Sequence, residues 1–194
     1  MKKPILYMLL LVTIVSFTTS TTPEGLNVNE IAPNFSSTDQ NGKTIVLKEL
    51  LKKGSVVMAF YRGEWCPCCN KQLMQLQDSL ASITKKGASL IAVSPEKKEN
   101  VAKTIQKTKA TYSVLSDDSL KIMSAYKVAF GLDEKTTEKY KGYGINLQET
   151  NGSNGNNLPV PAVYIINKEG KITYRYFDAN YKNRVSVREI LKNL

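Results

Sequence analysis

Apolar positions along the chain fall into runs and stripes that predict alternating strands and helices. Ser55 to Tyr61 (SVVMAFY) is a continuous apolar run with β-branched residues, the pattern of a strand buried on both faces, as in a parallel sheet. Leu73, Leu76, Leu80 and Ile83 then recur at spacings of three and four, which predicts a helix ended by Gly87. Ser89 to Val93 is the next apolar strand, and Ser94-Pro95-Glu96 predicts a helix to about Lys109, with Ser94 as N-cap and Pro95 at the first helical position. Tyr112 to Leu115 reads as a short strand, with Asp118 expected to cap a helix over Ser119 to Tyr126. Val163 to Ile166 and Ile172 to Tyr176 flank the turn Asn167-Lys168-Glu169-Gly170 and predict a hairpin, and Val185 to Leu194 closes the chain as a helix.

The remaining segments are weaker. Pro23, Gly25 and Pro33 make residues 21–35 a lead-in, and Asp39 to Lys43 is a turn between two short extended segments, the second at Thr44 to Leu47. Asp133 to Tyr140 is expected to be helical, and Gly142 to Asn157 a long polar loop, of which Asn151 to Asn157 is expected to be a flexible connector leading into Pro161. Gly142-Tyr143-Gly144 lacks a surrounding G-x-G-x-x-G pattern and reads as a turn, not a nucleotide site. The order β-α-β-α-β-α-β-β-α predicts an α/β fold with a central mixed β-sheet flanked by helices.

The amino terminus is a separate object. Lys2 and Lys3 precede the apolar stretch Ile5 to Phe17, and small residues follow at Thr18, Thr19 and Ser20. A basic start, an apolar middle and a small-residue end form the signal-peptide pattern, and the stretch is shorter than the roughly 20 residues a spanning helix needs. Residues 1–20 are therefore expected to be a signal peptide, or an anchor if uncleaved, and 21–194 a single domain. The protein is expected to be exported, periplasmic or secreted, with membrane contact only through that segment if it is retained.

Composition narrows the chemistry. Of 194 residues, 42% are hydrophobic and 23% charged, an ordinary globular balance. There is no histidine, which removes Ser-His and Cys-His pairs, imidazole metal ligands and a histidine general base. The net charge is +10, but the lysine pairs Lys52-Lys53, Lys85-Lys86 and Lys97-Lys98 lie on separate elements without interleaved aromatics. That spread reads as a solvated surface and not as a nucleic-acid interface.

All three cysteines lie in Cys66-Pro67-Cys68-Cys69, where the strand SVVMAFY hands over to the helix. Cys66 is expected at the N-cap and Pro67 at the first helical position. Cys69, three residues on, shares a side of the first turn with Cys66, while Cys68 points about 100° away from Cys69. Unpaired N–H groups and the dipole at a helix start favour a thiolate, and Arg62 just upstream adds positive charge. A zinc or copper site is poorly served by one cluster with no second C-x-x-C and no histidine, so no metal is expected. A purely structural bridge across three residues would restrict the unfolded chain little. Redox chemistry is the better reading of the cluster.

Trp65-Cys66-Pro67-Cys68-Cys69 between strand and helix resembles the thioredoxin active site, and the longer stretch Phe60 to Cys69 (FYRGEWCPCC) resembles the peroxiredoxin-like branch of the alkyl hydroperoxide reductase and thiol-specific antioxidant family. Val93 to Glu96, Val114 to Asp117, Leu158 to Ala162 and the tail from Phe177 through Arg184 to Leu191 are similar to further segments of that family. The resemblance implies a thioredoxin fold, with Trp65 and Pro161 as active-site walls and a cis Val160–Pro161 bond. In the peroxiredoxin frame the attacking cysteine falls on Cys69, with Cys66 in place of the usual threonine, Arg62 in place of the proline, and Pro161 where an arginine is usual. In the thioredoxin frame Cys66, as an exposed N-cap thiol, attacks and Cys69 resolves. Both frames stay open, and Cys68 is an extra thiol, expected to be non-essential or a bystander.

The resemblance implies an antioxidant peroxidase that reduces a hydroperoxide substrate through Cys66, Cys69 and Arg62 and is recycled by a thioredoxin-like dithiol protein, with no metal, flavin or nicotinamide. The alternative is an exported thiol–disulfide oxidoreductase acting on protein disulfides. A third possibility is a thioredoxin-fold binding module whose cluster is a static disulfide or metal clip.

Overall fold

The computed structural model describes residues 23–194, so the expected signal segment lies outside the described residues. The main sheet is centred on β3 (Ser55–Phe60), paired parallel to β4 (Ala88–Ser94) and antiparallel to β8 (Ala162–Ile166). β5 (Ser113–Ser116) extends the parallel side, and β9 (Ile172–Phe177) extends the antiparallel side as the expected hairpin. The five strands therefore run in the order β5-β4-β3-β8-β9. The sheet is mixed, as the sequence predicts. The run SVVMAF is buried on both faces because helices and loops cover both sides of β3: Met58 and Phe60 enter one core, Val57 and Ala59 the other.

α2 (Pro67–Asp78) leaves the carboxyl end of β3 after a loop over 61–66 that ends in its N-cap, and it buries Cys69, Gln72, Leu73 and Leu76 against the second core. The predicted single helix is interrupted at Ser79, and α3 (Leu80–Lys85) continues it as a separate turn before Gly87. Each fully buried leucine here contributes about 2 kcal/mol of apolar transfer.

Several local expectations are corrected. The helix after β4 is α4 (Lys98–Thr108), with Lys97 as N-cap, not a helix starting at Pro95. Ser94 ends β4, and its hydroxyl accepts from the N–H of Glu96 at 3.2 Å, a local turn that delays the helix. Likewise α5 (Lys121–Ala125) is shorter than expected, and Asp117, not Asp118, serves its first turn by accepting from Ile122 N (3.2 Å) and Met123 N (2.8 Å).

The small elements are the least visible in the sequence. The two expected extended segments are β1 (Ser36–Thr38) and β2 (Thr44–Val46), which pair antiparallel, and α1 (Leu47–Leu51) follows directly. β6 (Ala129–Gly131) pairs antiparallel with β7 (Asn157–Pro159), which the sequence pattern does not indicate. α6 (Glu134–Gly142) matches the expected helix, with the Asp133 carboxylate accepting from Thr136 N at 2.8 Å. The segment expected to be a long polar loop instead holds α7 (Leu147–Asn151), and its expected flexible connector a 3-10 turn at Gly152–Asn154. Asn154 is buried there and donates to the carbonyls of Pro95 (2.7 Å) and Asp117 (2.8 Å), so its polar residues bond the fold and do not merely face water. The chain ends in α8 (Val187–Lys192).

No peptide bond among the described residues is cis, so the Val160–Pro161 bond is trans, against the expectation from the resemblance. Val160 N–H donates to Val128 O at 2.8 Å, which carries the extended run of β7 toward β8, and a trans peptide continues such a run.

Candidate active site

The cysteines sit where the sequence places them: Cys66 is the N-cap of α2 and Pro67 its first helical residue, tolerated because the missing N–H has no helical partner there. The lead-in loop is held from several sides. Tyr61 N–H continues the ladder to Val93 O at 3.0 Å, Cys66 N–H donates to Gly63 O at 3.1 Å, and Asn70 Nδ2 donates to Glu64 O at 2.7 Å. Gly63 is required by close approach, because a Cβ there would lie 2.4 Å from Trp65 Nε1 and 2.7 Å from Glu96 Oε1.

Burial separates the three thiols. Cys69 is 0% and Cys66 2% exposed, so the expected exposed N-cap thiol is covered; the first turn of α2 rotates it into the second core. Cys68 is half-buried and opens onto a groove of about 650 Å³ between α2 and the segment 182–187, whose walls include Lys71, Gln75, Lys182, Arg184 and Val187.

Electrostatics separate the two buried thiols further. Burial opposes ionisation of Cys69, yet its thiol lies below the ordinary range, because the Cys66 thiol hydrogen-bonds it, the Arg184 charge favours the anion, and the Arg62 backbone N–H also donates to it. Arg184 Nη2 lies 3.3 Å from Cys69 Sγ. Cys66 moves strongly the other way, first because its hydrogen bond to Cys69 favours the protonated form, then through burial. The pair therefore shares one proton, with the negative charge on Cys69 and the proton on Cys66.

Arg62 is buried, but the cation against the Cys69 sulfur is Arg184. The Arg62 guanidinium sits 4.3 Å from the Tyr181 ring centroid, 5.2 Å from Trp65 and 5.5 Å from Tyr140, and it hydrogen-bonds the Tyr140 hydroxyl. Arg184 in turn donates to Tyr181 O, so the two guanidiniums share a loop. Trp65 packs edge-on against Tyr140 at 5.6 Å. Pro161 is buried one residue beyond the Phe60–Ala162 pair, at the sheet end from which the cysteine loop departs.

Glu96 is the other buried ionisable group beside the loop. It accepts from Glu64 N at 2.9 Å and from the Ser94 hydroxyl at 3.3 Å. Burial chiefly, with added repulsion from Glu64 and Cys69, pushes its carboxyl up to about 8. Arg184 and Glu96 stand in segments that carry the family resemblance, but spacing alone gives neither a role. Tyr140 and Tyr181 reach the site only through tertiary folding. Among the described residues no cluster of histidine, cysteine, aspartate and glutamate is arranged to hold a metal ion.

A family model described as the AhpC/TSA family matches residues 28–175. The chain belongs to the AhpC/TSA family. Among its relatives, this AhpC/TSA chain is 24% identical over 163 residues to a protein named thiol-disulfide oxidoreductase ResA of Bacillus cereus, an alignment that covers 84% of the chain and 76% of that relative. It is 27% identical over 146 residues to chloroplastic peroxiredoxin Q of Triticum aestivum, covering 75% of the chain but 57% of that relative, just over half its length. In fold it is similar to the crystal structure of peroxidoxin BcpB from Mycobacterium tuberculosis, with a TM-score of 0.66 at 19% identity over 86% of this chain and 94% of that one. The AhpC/TSA chain is thus an oxidoreductase enzyme of thiol chemistry on a thioredoxin-type fold.

Proposed function

We propose that the protein reduces hydroperoxides, with Cys69 as the attacking thiolate and Cys66 as the resolving thiol. The observation that carries this reading is the Arg184 guanidinium 3.3 Å from the sulfur of a fully buried Cys69. The thiolate is the nucleophile in such chemistry, and here it is formed without histidine, by an arginine, a backbone N–H and a neighbouring thiol. A sulfur this enclosed favours a substrate of a few atoms over a protein disulfide, which needs an exposed sulfur to approach in line.

The electrons and protons balance over one cycle. Cys69 thiolate attacks one peroxide oxygen, the O–O bond breaks, and the leaving alkoxide or hydroxide takes a proton from solvent, so that Cys66 keeps the proton that later leaves with the sulfenic hydroxyl as water. Cys69 becomes a sulfenic acid. The Cys66 sulfur then attacks the Cys69 sulfur, a water molecule leaves and a disulfide forms. A dithiol protein of the thioredoxin type reduces that disulfide and is itself oxidised. Arg62 supports the site by clamping Trp65, Tyr140 and Tyr181 around it. We also propose that this chemistry is exported, a reading supported by the basic, apolar, small-residue order of residues 1–20.

The likeness to ResA favours a second reading, exchange with protein disulfides. Stopped-flow mixing of the reduced protein with hydrogen peroxide, and separately with a disulfide-bonded protein, distinguishes the two. Fast oxidation by peroxide with slow exchange is expected. Fast exchange with slow peroxide consumption contradicts the peroxidase, and inertness to both, with Cys66→Ser behaving like the parent, contradicts both enzymatic readings.

A further inference from the structure

The disulfide that closes the proposed cycle joins two sulfurs that are both buried, whereas the reductant is a protein that must touch the sulfur it attacks. Cys68 alone of the three thiols reaches the surface, and it does so in the groove that Arg184 also lines. We infer that Cys68 is an exchange thiol, which carries the disulfide from the buried pair into the groove, where the dithiol reductant takes it. This inference rests on the Cys66–Cys69 disulfide proposed above and adds its route of reduction.

Backbone geometry decides which bridge can form. Helical residues two apart have Cα atoms about 5.4 Å apart and residues three apart about 5 Å, from the rise and radius of the α-helix. Both values lie inside the range of roughly 4.4–6.8 Å that disulfides use, whereas adjacent residues at about 3.8 Å lie below it. Cys66 can therefore bridge directly to Cys69, on its own side of the first turn, and to Cys68 only when that turn of α2 opens, because side chains two apart on a helix do not face each other; Cys68 and Cys69 are too close for an unstrained bond. Exchange must pass through Cys66. The Cys68 thiol, losing its proton to water, attacks the Cys66 sulfur; the Cys66–Cys69 bond breaks and a Cys66–Cys68 bond forms. The group expelled is the Cys69 thiolate, which Arg184 stabilises, and a stabilised thiolate is the better leaving group.

The groove then presents a disulfide sulfur to the partner. A thiolate of the reductant attacks the Cys68 sulfur and forms a mixed disulfide, and Cys66 leaves and takes up a proton. The second thiol of the reductant attacks its own linked sulfur and releases Cys68 as thiol. Two electrons have moved from the dithiol to the protein. Lys71, Lys182 and Arg184 outweigh Asp78 on the groove walls and suit a partner with an acidic rim around its dithiol.

The test uses Cys68→Ser and Cys68→Ala in the full chain. Single-turnover oxidation by hydrogen peroxide should match the parent in both variants. Reduction of the oxidised protein by thioredoxin should slow by at least about tenfold, since the exposed sulfur that accepts the attack is gone. A thioredoxin whose second active-site cysteine is serine should be trapped on the parent at Cys68, as read by peptide mass spectrometry. Variants reduced as fast as the parent, or trapping at Cys66 or Cys69, would overturn the inference. If peroxide leaves the parent unoxidised, the peroxidase reading fails by itself; the pair is then oxidised with diamide and the same reduction and trapping are read.

Discussion

At Cys69 the opposing effects are large, and their order can be read from the surroundings. Burial alone would keep the thiol protonated; Arg184, the Arg62 amide and the Cys66 thiol reverse that. Replacing Arg184 with methionine removes the charge and keeps most of the volume. The thiolate absorbance near 240 nm should then appear at higher pH, and the peroxide rate near pH 6.5 should fall, approaching about tenfold per unit once the displaced value lies well above that pH. Arg184→Lys should recover part of the loss. An unchanged titration in Arg184→Met would mean that the helix start alone holds the anion.

Glu96 responds to its surroundings with the opposite sign. Its carboxyl is raised in the folded protein to about 8, above its unfolded value near 4.3. A raised group contributes stability that is full below the unfolded value and is lost as pH rises through the folded one. Glu96 therefore makes the protein less stable as pH climbs from about 4.5 to about 8. In urea unfolding of the reduced protein, the midpoint of Glu96→Gln should fall less between pH 5 and 8.5 than that of the parent. Equal slopes would show that Glu96 does not titrate in this window.

At the scale of elements, the turns after β4 and β5 show how one short polar side chain shifts a helix start. Ser94 bonds back to Glu96 and Asp117 reaches forward to two N–H groups of α5. Asp117→Ala should cost about 1–2 kcal/mol in chemical denaturation, the usual effect of losing a helix cap. Asp118→Ala should cost less, because Asp118 accepts from Ser116 and not from the helix. A larger loss at Asp118 would reverse this assignment. The sequence pattern points to Asp118, the aspartate nearer the helix; the αL turn at Leu120 instead brings Asp117 under the helix end.

The same contrast runs through what the chain discloses. β3, β4, β8, β9 and α2 are legible because their apolar patterns are long and regular, and the helix start at Cys66-Pro67 is legible because proline restricts where a helix begins. β6, β7 and α7 are not, because they are three to five residues long and are held by contacts such as Asn154 to Pro95 and Asp117. At the site, spacing discloses the cysteines. It does not disclose the cation: Arg62 is near in sequence, but Arg184, 115 residues from Cys69, is the one at the sulfur.

Over the whole molecule, the mixed sheet brings four separated segments to one end of β3: the cysteine loop, the Glu96 turn, Tyr140 of α6 and the 181–187 segment. This convergence replaces the absent histidine, since one buried thiolate is sustained by groups drawn from distant parts of the chain. It also divides labour among three clustered thiols by exposure: Cys69 holds the charge, Cys66 the proton, and Cys68 the opening to solvent. Among the described residues no helix is long and apolar enough to cross a membrane.

The most direct measurement is the site of the first oxidation. Reduced Cys66→Ser and Cys69→Ser proteins are mixed with one equivalent of hydrogen peroxide in the presence of dimedone, and the labelled residue is mapped by peptide mass spectrometry. Cys66→Ser should react rapidly and carry the label on Cys69, whereas Cys69→Ser should react slowly and carry little label. A rapid reaction that labels Cys66 in the Cys69→Ser protein would contradict the assignment of the buried, arginine-bound sulfur as the nucleophile.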